Sequence, residues 1–327
     1  MEMIGEYGLF LAKVLTLVVA VLLLAGALFN LLRSGRQRDD GIGGLEVQHL
    51  NADFERAALQ LKQTMLPRRQ GKAERKASKQ RLKKARNEAS QRLFVLDFDG
   101  DLQASAVESL RDEITAILTV SEAGDEVLVC LDSAGGLVHS YGLAAAQLMR
   151  IRSGGLKLTV AVDKVAASGG YMMACVADRI LAAPFAVLGS IGVIAQLPNF
   201  HRLLKRHNID FEQFMAGEHK RTVTLFGENT DDGREKFQQE IEEAHSLFKQ
   251  FIRQHRPKVD LERLATGQHW YGSRALELGL ADELMTSDEY LLNVSQSAQI
   301  FRISCATRKS WLARLMSQAS AQLGSRL

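Results

Sequence analysis

The chain is short of the residues that build disulfide-braced or metal-centred proteins. Its three cysteines, Cys130, Cys175 and Cys305, are odd in number and far apart, which excludes a disulfide framework; no CxxC or Cys/His spacing offers a zinc site. No GxSxG signature occurs, and none of the eight histidines joins a serine and an aspartate in a local catalytic motif. His139 and His219, nearest to the glycine-rich turns described below, are left as the rival bases of a Ser-His-Asp arrangement that nothing else supports. Between Arg68 and Arg92 there is no aromatic residue, and only Glu74 and Glu88 oppose eleven lysines and arginines. Without aromatics for base stacking or a recognisable module, nucleic acid is not an expected partner of this tract.

What is present is ordinary for a globular protein: 327 residues, 46% hydrophobic, 24% charged and a net charge of +3. That length accommodates an appendage and one core of about 200 to 250 residues. Leu9 to Phe29 is apolar over 21 residues apart from Lys13 and Thr16, enough to cross about 30 Å of hydrocarbon as a helix. A cleaved signal peptide is the rival reading, but Glu2 and Glu6 precede the run and apolar residues continue to Leu32. We therefore expect a membrane anchor over 1–32, a basic helical or disordered tether over 33–91, a core over 92–305 and a tail over 306–327. The tether is suited to anionic lipid headgroups. Arg33, Arg36 and Arg38 follow the span and favour an inward-facing core.

From Arg92 the pattern becomes short apolar strands alternating with amphipathic helices. Leu93–Asp99, Glu126–Leu131 and Leu156–Val162 read as strands, with helices over Ala104–Val120 and about Ser140–Arg152. Three such repeats predict an α/β fold with a parallel sheet covered by helices on both faces. Ile180–Leu197 is a second apolar stretch, but Pro184, Gly189, Ser190 and Gly192 interrupt it, so short core strands are expected there. Asp231–His255 reads as a helix with Phe237, Ile241, Ala244, Leu247, Phe248 and Phe251 on one face, stopped by Pro257.

Two turns carry the chemistry. In Lys164–Asp178 a small-residue strand end leads to Ser168, Gly169 and Gly170 and then to a helix over Tyr171–Ala177. Such a turn exposes a hydroxyl where backbone N–H groups can stabilise developing negative charge. A plain N-cap serine would look the same in isolation. The second turn, Asp132-Ser-Ala-Gly-Gly-Leu, also ends an apolar strand, and Gly135 and Gly136 let the backbone direct N–H groups into a cavity. Adjacent parallel strands would bring both turns to one crevice.

These motifs, AASGGYMMACVAD, the strand-SAGG turn, GSIGVI at Gly189–Ile194 and GEHKR at Gly217–Arg221, closely resemble the SppA/SohB signal peptide peptidase family over roughly Leu93–Ile303, with the anchor and single-copy core most similar to the SohB branch. The resemblance implies a Clp-protease-like, crotonase-type fold and a Ser/Lys dyad. It assigns Ser168 as nucleophile, Lys220 as general base, the N–H groups of Gly136 and Gly169 as oxyanion hole, and Ser190 as the residue orienting the lysine. Ala134 departs from the proline common in relatives, which bears on loop rigidity alone. The implied activity is a serine endopeptidase of the bacterial inner membrane that cleaves extended peptides or membrane-derived fragments, needs no metal or organic cofactor, and works as a homo-oligomer. Related peptidases place the catalytic domain outside, opposite to the arginine pattern. The alternatives are a crotonase-type acyl-CoA enzyme, which would need carboxylates in the loops, and an inactive membrane scaffold.

Overall fold

The computed structural model describes residues 44–67, 70–71, 73–80, 91–217 and 220–305. The expected anchor at 9–29 and the tail at 306–327 lie outside these residues. Among the described residues no helix is long and apolar enough to cross a membrane.

The elements follow the hydropathy pattern closely. Strand β2 (Arg92–Gly100), helix α2 (Val107–Val120), β3 (Glu126–Ser133), helix α3 (Val138–Ser153) and β4 (Lys157–Val162) give the first repeats. Next come β5 (Val165–Ala167), α4 (Gly169–Ala174), β6 (Arg179–Ala182), β7 (Val187–Gly189), α5 (His201–Arg206), α6 (Asp231–His255) and α7 (Leu261–Leu264). The described part closes with β8 (His269–Tyr271), α8 (Gly272–Glu277), β9 (Glu283–Leu284), α9 (Ser287–Val294) and β10 (Gln299–Cys305). Helix α2 starts later than its apolar pattern suggests, because Ala104 takes a φ of +52° in a turn closed by Asp101. The Asp101 carboxylate accepts from the Ser105 N–H and hydroxyl, and these bonds hold its pKa below the usual range.

The sheet runs β1-β10-β2-β3-β4-β6-β9, where β1 is Leu45–His49. All of these neighbours pair in parallel except β1, which lies antiparallel on the β10 edge. On one face Phe94, Leu96, Val129 and Val160 meet Leu110 and Ile114 of α2 and Leu148 of α3. On the other, Leu93, Val95, Leu128 and Ile300 meet Leu50, Tyr290 and Leu291. Burial on both faces explains the near-continuous apolar runs of β2 and β3. From the C-terminal end of β3 a second ribbon departs: Ser133 pairs with Ala166 of β5, β5 pairs with β7, and β7 with β8.

Residues 45–65 fall inside the stretch whose composition suggested a tether, yet β1 and helix α1 (Leu50–Met65) belong to the core sheet. The cause is a set of long-range contacts that charge counting does not register. Leu50 is buried, and the Asn51 side chain donates to the Ser295 and Ala298 carbonyls and accepts from the Ile300 N–H. Replacing Asn51 with alanine leaves all three backbone groups without their partner. We expect Asn51→Ala to lower stability by about 2 kcal/mol, read as a lower urea midpoint at unchanged slope.

Candidate active site

Two glycine turns meet at the place where the second ribbon leaves the sheet. β5 ends at Ala167 and β7 at Gly189, which are register partners, so Ser168 and Ser190 leave the ribbon side by side. The Ser168 N–H donates to the Gly189 carbonyl at 2.8 Å, and the Ser190 N–H donates to the Gln268 carbonyl at 2.7 Å. Both serines have positive φ, 52° and 51°. With ψ at −118°, Ser168 occupies a region that costs a non-glycine residue about 1–3 kcal/mol and that survives only where the surroundings enforce it. This sharp strand-to-helix turn lifts the hydroxyl clear of the backbone of α4. Ser168 is half-buried, whereas Gly169 to Ala174 behind it are fully buried.

The SAGG turn packs directly on this one. A β-carbon on Gly135, whose φ is +88°, would lie 2.6 Å from the Gly169 nitrogen and 2.8 Å from the Ser168 β-carbon. One on Gly170 would lie 2.4 Å from the Ser133 carbonyl oxygen, and one on Gly136 would lie 2.1 Å from the Leu102 carbonyl oxygen. The glycines are therefore required by proximity. The Gly135 N–H is occupied by the Ser133 hydroxyl at 3.1 Å, while the N–H groups of Gly136 and Gly169 meet no acceptor among the described residues. Two unengaged donors on adjoining turns are what an oxyanion site requires.

Ser133 and Ser168 occupy similar Ser-x-Gly and Ser-Gly-Gly contexts, but the structure gives them opposite environments. Ser133 is buried, and its hydroxyl is held by the Tyr141 phenol at 2.6 Å; Tyr141 in turn donates to the Asp101 carbonyl at 2.7 Å. Burial pushes the Tyr141 pKa up, which keeps the phenol protonated as a donor. Its ring also lies under Gly169, where a β-carbon would come within 2.4 Å. Sequence reasoning missed Tyr141, since a tyrosine on the apolar side of a helix carries no local sign that it supports a turn 28 residues away. Gln268, which fixes Ser190 through its backbone carbonyl, was equally invisible.

No hydrogen bond or ion pair among the described residues joins Lys220 to this cluster. The lysine lies exposed in an arm over residues 190–230 that β7 feeds, where α5 is the one helix among the described residues. Its backbone N–H donates to the Gly217 carbonyl at 3.2 Å, and its amine meets no hydrogen-bonding or ionic partner among the described residues. The arm has its own small aromatic cluster, Phe200 on Phe226 and Phe226 on Phe211, yet leaves Ile194 78% and Phe214 90% exposed. Of the rival bases, His139 is exposed at the start of α3, and His219 lies outside the described residues.

Comparison with known proteins places this geometry in context. The profile described as peptidase family S49 N-terminal matches residues 2–148, and that of peptidase family S49 matches residues 150–300. The chain is 46% identical over 332 residues to the probable protease SohB of Haemophilus influenzae, covering 97% of this chain and 93% of that protein. It is 52% identical over 236 residues to the probable protease SohB of Buchnera aphidicola subsp. Acyrthosiphon pisum, covering 72% and 70% of the two. A membrane-bound stomatin-specific protease solved with a substrate peptide is 13% identical, with a TM-score of 0.39 over 71% of this chain and 98% of that one, too loose a superposition to carry an argument.

The packing of the two turns makes a steric prediction. Gly135→Ala should cost about 1–3 kcal/mol, through the positive φ and the absence of room for a β-carbon. Gly142→Ala, in helix α3 with nothing within 4 Å of the new carbon, should instead gain about 0.5–1 kcal/mol. Chemical denaturation of the two variants checks the contrast.

Proposed function

The chain belongs to peptidase family S49, and we propose that it is a membrane-anchored serine endopeptidase in which Ser168 is the nucleophile and Lys220 the general base. One observation carries the reading: Ser168 is held at a strained positive φ where two glycine turns meet, beside two backbone N–H groups that have no acceptor among the described residues. Ser168 attacks the peptide carbonyl, and the hydroxyl proton passes to the neutral amine of Lys220. The carbonyl oxygen takes the developing negative charge and accepts hydrogen bonds from Gly136 and Gly169. The lysine then protonates the departing amine, and water releases the acyl group from the serine. Ser190, parallel to Ser168, orients the lysine.

A lysine serves as a base only where it is removed from water. Lys220 is exposed in the single chain, so in this reading its burial accompanies assembly: the arm that bears it also exposes Ile194, Leu203, Ile209 and Phe214, an apolar surface suited to a second copy. The dyad then forms between Ser168 and Lys220 of neighbouring protomers in a homo-oligomer. Substrates are extended peptides or membrane-derived protein fragments. Residues 9–29 anchor the enzyme in the bacterial inner membrane, where the basic segment before Arg92 meets lipid headgroups.

Ser168→Ala should reduce peptide hydrolysis on the order of a thousand-fold or more without loss of fold, since removing a half-buried hydroxyl leaves little cavity. Undiminished turnover would exclude the serine. Lys220→Arg should be as inactive as Lys220→Ala, because a guanidinium stays protonated and cannot accept the proton. Mixing Ser168→Ala with Lys220→Ala protomers separates the two geometries: shared sites recover part of the activity, whereas self-contained sites stay dead at every ratio.

A further inference from the structure

Two segments, 101–102 and 133–141, close a ring of hydrogen bonds beside the oxyanion side of the site. The Tyr141 phenol, fully buried on α3, gives its single proton to the Asp101 carbonyl at 2.7 Å, since a carbonyl can only accept. The 2.6 Å contact with Ser133 then runs the other way, the serine hydroxyl donating to the phenol oxygen. Ser133 Oγ in turn accepts the Gly135 N–H at 3.1 Å. On the other side of the turn the Leu137 N–H donates to the carbonyl of Leu102, the residue next to Asp101, at 2.9 Å. The protons therefore point one way, from Gly135 through Ser133 and Tyr141 to Asp101, and bonds aligned in this manner strengthen one another.

Gly136 sits between the two tethered residues. Gly135 and Leu137 have their N–H groups drawn back into the protein, and the Gly136 N–H has no acceptor among the described residues. The ring has little freedom to adjust. A β-carbon on Gly100 would lie 2.6 Å from the Tyr141 oxygen, and the Asp101 turn is braced by its own carboxylate on the N–H groups of Gln103 and Ser105.

We propose that the Tyr141 hydroxyl is a positioning group for the reaction: through Ser133 and Asp101 it holds residues 135–137 so that the Gly136 N–H alone faces the developing oxyanion. The inference rests on the reading of Ser168 as nucleophile and Gly136 as oxyanion donor. Tyr141 passes no proton to the substrate, because burial raises its pKa and keeps the phenol protonated at any working pH. A misplaced donor matters only once charge develops on the carbonyl oxygen, so losing this hydroxyl acts on kcat and spares KM.

Tyr141→Phe keeps the ring under Gly169 and removes the oxygen alone. With the full chain in detergent micelles and a quenched-fluorescent peptide, it should lower kcat about 10- to 100-fold, with KM within about twofold and an unchanged pH profile. A peptide aldehyde, whose adduct with Ser168 puts an oxygen in the same hole, should lose affinity by the same factor, while the matching peptide carboxamide does not. Ser133→Ala breaks the chain at its other end and should reproduce the effect, which keeps the test open if Tyr141→Phe does not fold. The control is Tyr290→Phe, which gives up a hydroxyl bond to Glu126 at 2.6 Å on the other face of the sheet; its thermal midpoint should fall and its kcat should not. Wild-type kcat in Tyr141→Phe and Ser133→Ala, equal weakening of aldehyde and carboxamide, an equal kcat loss in Tyr290→Phe, or a displaced pH profile would each overturn the proposal alone. Turnover retained by Ser168→Ala would instead overturn the reading of the nucleophile, and the proposal with it.

Discussion

A β-carbon on Gly135 would fall 2.6 Å from the Gly169 nitrogen, and one on Gly170 would fall 2.4 Å from the Ser133 carbonyl oxygen, so the two turns touch through backbone alone. That contact fixes the separation of the ends of β3 and β5, and with it where the second ribbon departs from the sheet. It also sustains the positive φ of Ser168, a conformation that an isolated serine would abandon. The Gly189 carbonyl on the Ser168 N–H and the Gln268 carbonyl on the Ser190 N–H carry the same constraint outward to β7 and β8.

The constraint sorts two serines of similar local sequence. Ser133 lies inside the contact and has its hydroxyl engaged by Tyr141 and the Gly135 N–H, so it is a structural strut. Ser168 lies at the tip and keeps its hydroxyl without a protein partner among the described residues. The Tyr141 phenol serves both turns, holding the Ser133 hydroxyl with its oxygen while its ring supports Gly169. Removal of that ring would therefore loosen the Ser168 turn through its floor.

The arm over 190–230 follows a different physical regime. It rests on a small aromatic cluster, exposes large apolar side chains and carries the lysine, while the serine turns sit on a core buried on both faces. A rigid serine side and a lightly packed lysine side suit a site completed by another surface, since a thinly buried arm can adjust to a neighbour at small energetic cost.

The amino-acid pattern alone determined the alternation of strand and helix from Arg92, the parallel sheet, and the two glycine turns, because hydropathy period and glycine clusters are local properties of the chain. It pointed to Ser168 through its strand-turn-helix setting, and to Lys220 only through family resemblance, since a lysine in a polar loop carries no local mark of its role. Tertiary structure decided the rest. Residues 45–65 join the core because Asn51 satisfies three backbone groups more than 240 residues away. Tyr141 supports the serine turns through contacts that no spacing in the sequence encodes, and Ser133 is withdrawn from chemistry by burial. Burial and hydrogen-bond partnership are set by which distant segments meet, and that information exists only once the sheet has closed.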